Sequence, residues 1–260
     1  MKILPGFTQA KKGMRHRLVI CTEALEKKGK THFGLTMPGP ICVFDMDRGL
    51  EGVIDKFVDQ KDIQVVDYRG MVTQAKGQKA TKNLFEPRWE KFNEDYLRAL
   101  EAPLDVVRSI LLDTGTELWE YARLGVLGKL TQVPPLFYPE VNQQFRKIVD
   151  LALDHDKNVI ITHKMKKEWK KSSSGDEAKS YWTGKYERSG FDEMGNAVQV
   201  MLRHGRRKEE DGTPGDFYIE VLECRLNPWL VGEEYEGEAM CTFPFLATQI
   251  FPDTELEEWE

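Results

Sequence analysis

Short apolar runs alternate with amphipathic segments along most of this chain. The runs have the length and continuous apolar character of buried strands, and they lie at 18–21, 41–44, 63–66, 106–112 and 158–161. The segments between them carry apolar residues at helical spacing, at 50–58, 87–100, 117–130 and 139–154. Alternating strands and helices are typical of a parallel sheet, so the pattern predicts an α/β fold with helices flanking a mostly parallel sheet.

The pattern changes after residue 196. Residues 197–203 and 216–225 alternate apolar and polar positions, and the link between them contains Asp-Gly and Pro-Gly. This predicts an antiparallel hairpin at one edge of the sheet. Residues 231–260 are acidic and end in PDTELEEWE. We therefore expect a basic lead-in at 1–16, one domain at 17–230 and an acidic C-terminal tail, which either recruits a partner through its tryptophan or is simply solvated.

The first apolar run is followed by a loop that ends in Gly29-Lys30-Thr31. A strand before this loop and a possible helix after it form the layout of a phosphate-binding P-loop. In that motif the backbone N–H groups cradle phosphates, the lysine reaches the terminal phosphates, and the next hydroxyl binds magnesium. The spacing G-x-x-x-x-G-K-[ST] is incomplete, because Ala24 stands where the first glycine belongs. The alternative interpretation is a basic surface turn before a helix.

Polar side chains follow several of the predicted strands. Asp45 and Asp47 end the second run, Asp113 ends the fourth, and His163 ends the fifth. Ligands of parallel α/β sheets bind outside the carboxyl ends of the strands. We therefore expect five side chains to converge on one crevice: Lys30, Thr31, Asp45, Asp47 and Asp113. Asp113 then holds magnesium, unless it only begins a turn, and His163 either senses the terminal phosphate or is an ordinary hydrogen-bonded group.

A locally basic segment follows His163. Residues 164–188 contain eight basic and four acidic residues, with aromatic residues interleaved. Cationic side chains with aromatic faces are typical of a channel for single-stranded nucleic acid, although a mobile loop kept soluble by lysines has the same composition. The candidate contacts are Lys164, Lys166, Lys167, Trp169, Lys170, Lys171, Trp182, Lys185 and Arg188. The basic segment 69–83 is interpreted as a solvated linker, with a phosphate-backbone contact as the alternative.

Composition narrows the possible classes of protein. The chain has 260 residues, 40% of them hydrophobic, and a net charge of −6, so any nucleic-acid binding needs a local patch. No apolar run approaches the roughly 20 residues that span a bilayer, and we expect a cytoplasmic protein without membrane contact. The four cysteines form no C-x-x-C pair and the five histidines are scattered, so zinc and disulfides are not expected.

The order of these pieces resembles that of RecA-like P-loop ATPases carried by bacteriophages. The nearest group is the phage nucleotide-binding proteins of single-strand annealing and recombination. The resemblance covers roughly residues 17–225 and rests on four pieces: the loop ALEKKGKTHFGLT, the strand ends Asp45-Met46-Asp47 and Asp113-Thr114, and Val159-Ile160-Ile161-Thr162-His163-Lys164 with the basic segment after it.

The resemblance implies roles for particular residues. It implies ATP and Mg²⁺ as cofactors, with Thr31 and the Walker B acid Asp113 on the metal. It assigns nucleotide binding to Ala24, Lys28, Gly29, Lys30, Thr31 and His32. The implied catalytic residues are Lys30, Asp47 and His163. The family commonly carries a catalytic glutamate at the end of the second strand, where this sequence has Asp47 or, as the alternative, Asp45. The acid that would activate water is therefore one methylene shorter here, and this departs from the family pattern, as Ala24 does.

The resemblance implies an ATPase that acts on single-stranded DNA in phage recombination, annealing or replication. Such a protein assembles into a homo-oligomer, with ATP at a subunit boundary, in the host cytoplasm. The alternative is a nucleotide-binding interaction protein with little or no hydrolysis, which uses ATP as a structural switch and its acidic tail to bind a replication partner. A P-loop kinase fits less well, because its lid would be rich in arginine.

Overall fold

The computed structural model describes residues 16–70, 82–129, 133–171, 180–209 and 211–260. Within these residues the strands are β1 (Val19–Ala24), β2 (Ile41–Asp45), β3 (Ile63–Asp67), β4 (Ser109–Asp113), β5 (Asn158–Lys171), β6 (Ser180–Arg188), β7 (Val200–Lys208), β8 (Pro214–Cys224) and β9 (Glu234–Glu236). The α-helices are α1 (Lys30–Leu35), α2 (Lys82–Glu101), α3 (Gly115–Leu127), α4 (Tyr138–Asp154), α5 (Met194–Ala197) and α6 (Phe243–Ile250).

The strands of the described residues form one nine-stranded sheet. Its order is β3-β2-β4-β5-β1-β7-β8-β9, and β6 pairs with the outer half of β5. The neighbours from β3 to β7 are parallel, whereas β8 is antiparallel to β7 and β9 to β8. This confirms the predicted α/β fold, with a mostly parallel sheet and an antiparallel hairpin towards one edge. The carboxyl ends of β1, β2 and β4 therefore meet residues 162–164 of β5 at one edge of the sheet.

Two hydrophobic cores lie on opposite faces of the sheet. Strand β1 contributes to both, because Val19 and Cys21 pack into the core with α2, α3 and α4, while Ile20 packs into the core with α1 and α6. A strand buried on both faces has apolar residues at successive positions, which is why residues 18–21 form a continuous apolar run. Thr22 and Glu23, near the end of β1, are buried polar residues. The helices thus fix β1, and the loop that follows it, from both sides.

The predicted helix at 50–58 is wrong. The structure has turns there and a single turn of 3-10 helix at Ile54–Lys56. Gly52 adopts a left-handed conformation with a φ of 73°, which interrupts a right-handed helix. The apolar spacing in this segment reflects the packing of Leu50 and Phe57, which are buried against the core beside α1.

The described residues of the basic segment after His163 form strands and not the predicted loop. Strand β5 continues past the sheet to Lys171, and β6 returns antiparallel to it, so the two form a β-ribbon. Of the predicted linker 69–83, residues 71–81 lie outside the described residues. Arg69, at its start, pairs with Asp67 at 2.6 Å and with Asp45 at 3.5 Å.

The expectation of a separate acidic tail is also not met. Strand β9 pairs with β8, and α6 buries Phe243 and Leu246 in the core beside α1. Trp259 is 3% exposed, and its Nε1 donates a hydrogen bond to Thr254 Oγ1 at 2.9 Å. The charged residues of 231–260 dominate its composition, but its apolar residues determine where it lies. Trp259 is therefore a core residue, and its side chain is not exposed for contact with a partner.

None of the helices in the described residues has both the length and the apolar character required to cross a bilayer.

Replacing Trp259 with alanine tests whether the C-terminal segment belongs to the fold. We expect Trp259→Ala to lower the free energy of unfolding by about 3 kcal/mol, because a large buried ring is lost from the core. Trp229, which is 91% exposed, provides the matched control, and Trp229→Ala should change stability by less than about 0.5 kcal/mol. Urea denaturation of both variants makes the comparison. If Trp259→Ala is as stable as Trp229→Ala, residues 231–260 are a solvated tail.

Candidate functional site

The loop between β1 and α1 carries the Gly-Lys-Thr sequence. Gly29 caps α1 with a φ of 89°, a left-handed conformation that favours glycine. Lys30 Nζ lies 3.2 Å from the carbonyl oxygens of Ala24 and Leu25, so its side chain folds back over the loop. Burial lowers the pKa of Lys30, while the carboxylates of Asp113 and Asp47 act in the opposite direction. The loop thus holds a largely buried cation at its centre.

A cavity of about 840 Å³ opens above this loop. That volume is within the usual range for small-molecule sites. Most of the loop residues assigned to nucleotide binding line it, namely Lys28, Gly29, Lys30, Thr31 and His32. Ala24 does not line it: this residue is fully buried at the end of β1 and contributes its carbonyl oxygen to Lys30. The position at which the motif has its first glycine is therefore buried behind the wall of the cavity.

A buried carboxylate closes one side of the cavity. Asp113 is 1% exposed and accepts hydrogen bonds from Thr31 Oγ1 at 2.9 Å and from Thr162 Oγ1 at 2.5 Å. Burial raises the pKa of Asp113 to about 6, although the two hydroxyl hydrogen bonds lower it. Gly49 passes so close that a Cβ there would lie 2.5 Å from Asp113 Oδ2. The structure thus brings Thr31 and Asp113 together, as the sequence predicted.

The two aspartates after β2 have different positions. Asp47 lines the cavity, and its Oδ1 accepts a hydrogen bond from the Gly49 N–H at 3.0 Å. Asp45 does not line the cavity, and its Oδ1 accepts from the Arg48 N–H at 3.0 Å. Asp45 therefore shapes the turn, and its predicted projection into the crevice is wrong.

Lys164 belongs to the cavity rather than to the exposed nucleic-acid set. Its Nζ lies 2.7 Å from Asp47 Oδ2 and 3.1 Å from Glu117 Oε1. Burial disfavours its charge, but the hydrogen bond to Asp47 and the attraction of both carboxylates exceed that effect and raise the pKa of Lys164. Both oxygens of Asp47 thus have a donor, one from Gly49 and one from Lys164.

His163 does not line the cavity. It is fully buried, and its Nδ1 lies 3.0 Å from the Ser189 carbonyl oxygen, while Gly115 packs on the other ring nitrogen. Burial lowers the pKa of His163 to about 3, and the nearby cations Arg188 and Lys30 add to this. The structure therefore gives a neutral core histidine in place of the predicted phosphate sensor.

The remaining nucleic-acid candidates divide into two groups. Most lie on the β-ribbon, namely Lys166, Lys167, Trp169, Lys170, Lys171, Trp182 and Lys185. Arg188 differs, because its side chain is only 12% exposed and donates to the Asp192 carbonyl oxygen at 2.8 Å, with Glu23 at 3.9 Å. Arg188 is thus a structural cation at the base of the ribbon.

The β7–β8 hairpin supplies cavity residues that the sequence analysis missed. His204, Arg206 and Phe217 line the cavity, and so do Glu238 and Cys241 of the C-terminal segment. The hairpin itself was predicted from its turn residues. Its approach to the Gly-Lys-Thr loop depends on β7 pairing with β1, which no local sequence pattern indicates.

The donor set fits a nucleotide phosphate with Mg²⁺. A threonine hydroxyl and a carboxylate stand side by side near a lysine, and such a partial oxygen shell suits a metal that keeps waters and phosphate oxygens as its other ligands. Within the described residues, no group of three or more metal-ligating side chains forms a site for a metal held by protein alone. Thr31 and Asp113 are the residues that would hold the ion.

The fold and this site are those of the P-loop NTPase class, whose members bind nucleotides. The sequence model of the AAA domain family matches residues 18–227, which is most of the chain, and the chain belongs to that family. Membership supports nucleotide binding and an ATPase domain that uses ATP with Mg²⁺. A comparison with curated proteins gave no match.

The neutral state of His163 makes stability depend on pH. Because its pKa is lowered from 6.5 to about 3 in the folded protein, its contribution to stability is present above pH 6.5 and is lost as the pH falls. Between pH 6.5 and 5 the loss amounts to about 2 kcal/mol for one such histidine. His163→Gln removes the titrating group and keeps a donor for Ser189.

We therefore expect the wild type to lose about 2 kcal/mol more than His163→Gln when denaturation is compared at pH 7 and pH 5. His204 is buried and neutral in the same way, but it is present in both proteins and cancels from the comparison. Identical losses in the two proteins would mean that His163 is accessible to protons in the folded state.

Proposed function

We propose that this protein is an ATPase whose turnover depends on single-stranded DNA, acting in the recombination, annealing or replication of a bacteriophage. The observation that carries the proposal is the course of β5. Thr162 and Lys164 of this strand contact the acids of the cavity, and the same strand continues into the ribbon, where its pairing with β6 shifts register between Lys167 and Trp169. Five residues of extended strand, about 17 Å, separate Lys164 from Trp169.

One face of the ribbon suits the stacking of bases. Trp169 stands opposite Trp182, and Lys167 stands opposite Tyr186. Lys167 Nζ lies 5.0 Å from the centre of the Trp182 ring, which itself meets Tyr186 edge-on at 6.1 Å. Paired residues share a face, so this face carries three partly exposed rings and a cation. Aromatic rings with adjacent cations bind single strands with little sequence preference.

The lysines of the ribbon can exchange their present partners for phosphates. Lys166 lies 3.4 Å from Glu187, and Lys170 lies 3.5 Å from Glu168. These pairs are at the surface, where an ion pair stabilises by only about 0–1 kcal/mol. A nucleic-acid backbone offers the same lysines several negative charges at once, together with the release of its counterions.

The cavity residues have defined roles in the proposed hydrolysis. Lys30 holds the terminal phosphates and stabilises the charge that develops on them, as the lysine of a P-loop does. Thr31 and Asp113 hold Mg²⁺, which neutralises phosphate charge when bound. Asp47 orients the attacking water, once its oxygens are released from their present donors. A homo-oligomer, with neighbouring subunits completing the site, belongs to the same proposal and rests on the resemblance to phage ATPases.

ATP hydrolysis with and without single-stranded DNA, at low and moderate salt, tests the proposal. We expect DNA-stimulated turnover that falls as salt rises. Lys30→Ala should abolish turnover, because the phosphates lose their central cation. Trp169→Ala and Trp182→Ala should each raise the DNA concentration needed for stimulation by roughly tenfold, whereas the exposed Trp229→Ala should not. A rate of ATP hydrolysis that is the same with and without single-stranded DNA would refute the proposal.

A second function is favoured by the state of Asp47. Both carboxylate oxygens of Asp47 accept hydrogen bonds, one from Gly49 and one from Lys164. In this arrangement the carboxylate is held by the protein's own donors. Aspartate is also one methylene shorter than the glutamate common in the phage ATPases that the sequence resembles. These features suit a nucleotide-binding interaction protein that hydrolyses ATP little and uses it as a structural switch.

Substitutions at Asp47 separate the two functions. In an ATPase, Asp47→Asn should lower turnover by about 100-fold or more, because the amide cannot take a proton from water, while ATP binding persists. Asp47→Glu should preserve or raise turnover, because it restores the longer acid. If the wild type turns over no faster than Asp47→Asn, yet binds ATP, the switch-like binding protein is the correct description.

A further inference from the structure

The side of the cavity formed by the β7–β8 hairpin has no role in the phosphate chemistry. In the sheet, β2, β4 and β5, which carry the acids and Lys164, lie on one side of β1, whereas β7 and β8 lie on the other. The Gly-Lys-Thr loop follows β1 and stands between the two sides. A nucleotide whose phosphates face the acids therefore extends its nucleoside towards the hairpin.

A platform made of a guanidinium over an aromatic ring stands on that side. Arg206 and Phe217 pair across the hairpin, and the guanidinium of Arg206 lies 4.7 Å from the centre of the Phe217 ring. The ring is also close to the loop, because a Cβ added to Gly29 would lie 3.5 Å from Phe217 Cδ1. A ring and a guanidinium, both flat and both partly exposed, offer a nucleobase a surface on which to stack.

The platform is held in position from two directions. Arg206 Nε donates to the Gly215 carbonyl oxygen at 2.8 Å, which fixes the guanidinium over the ring. The Phe217 carbonyl oxygen accepts from the Gly237 N–H at 2.9 Å and from Cys241 Sγ at 3.3 Å. The C-terminal segment thus anchors the strand that carries the ring, and a preorganised surface loses less entropy when it binds.

His204 provides an independent indication of a ligand. It is 5% exposed, lines the same cavity, and its Nε2 has no hydrogen-bond partner. Burial lowers its pKa to about 3, with Lys30 as the second cause, so the ring is neutral near the phosphate end. A buried nitrogen without a partner is unfavourable. This atom is closed to solvent, so an oxygen of a bound nucleotide reaches it once the ring turns towards the cavity.

We propose that His204, Arg206 and Phe217 form the nucleoside subsite of the cavity, in which the base of a nucleoside triphosphate stacks on the platform of Arg206 and Phe217 while His204 hydrogen-bonds to a ribose or phosphate oxygen. This inference rests on the proposed function, because it requires the phosphates to occupy the Gly-Lys-Thr loop.

Affinities for ATP and for inorganic tripolyphosphate, both with Mg²⁺, isolate the contribution of the nucleoside. Tripolyphosphate carries the phosphates without base or ribose, so it reports on the loop and serves as a folding control for every variant. In calorimetric titrations we expect the wild type to bind ATP more tightly. Phe217→Leu should lose roughly tenfold in affinity for ATP and nothing for tripolyphosphate, because leucine keeps apolar volume without a flat face.

Phe217→Tyr keeps the ring and is the matched control, and it should bind ATP as the wild type does. If Phe217→Leu binds ATP as tightly as the wild type while tripolyphosphate still binds, the subsite is wrong and the phosphate site stands. If the wild type binds neither compound, the subsite and the proposed function fail together. Equal losses for both compounds in Phe217→Leu would show that Phe217 supports the loop and not the base, which also overturns the inference.

Discussion

The burial of one carboxylate determines how the carboxyl edge of the sheet is arranged. Asp113 lies almost fully out of water, where a charge is costly unless hydrogen bonds compensate for it. Thr31 reaches it from the first turn of α1, and Thr162 reaches it from β5. Each hydrogen bond to a charged group contributes about 1.5–3 kcal/mol, so the carboxylate fixes the loop and the neighbouring strand to each other. Gly49 then closes over the group, because no larger residue fits there.

The same requirement links the cavity to the ribbon. Strand β5 cannot shift along its axis without moving Thr162 away from Asp113 and Lys164 away from Asp47. The backbone of Lys164 is also fixed, since its N–H donates to Thr116 Oγ1 and its carbonyl oxygen accepts from the Ser189 N–H. The pairing of β5 with β6 shifts register between Lys167 and Trp169, which separates this anchored part from the tryptophan pair of the ribbon. The proposed dependence of turnover on DNA therefore rests on the strand that the ribbon and the cavity share.

The fold and half of the site could be predicted from the sequence. Apolar runs that end in polar residues identified β1, β2, β4 and β5, and a parallel sheet then placed Lys30, Thr31, Asp47 and Asp113 together. Residues 50–58 and 231–260 were interpreted wrongly, because a left-handed Gly52 interrupts an apparent helix and buried apolar residues outweigh surface charge. Arg206 and Phe217 carry no signal of their own, since only the pairing of β7 with β1 brings their hairpin to the loop.

Histidine illustrates why strand-end residues are ambiguous in a sequence. Asp113 and His163 both follow buried strands, yet one faces the cavity and the other packs in the core. Side chains alternate between the two faces of a strand, so neighbouring residues at a strand end lie on opposite faces of the sheet. On β5, the side chain of Thr162 lies on the same face of the sheet as Asp113. The side chain of His163 therefore lies on the opposite face, where it packs against α3. Lys164 returns to the cavity face, and it meets Asp47 there because of the same alternation.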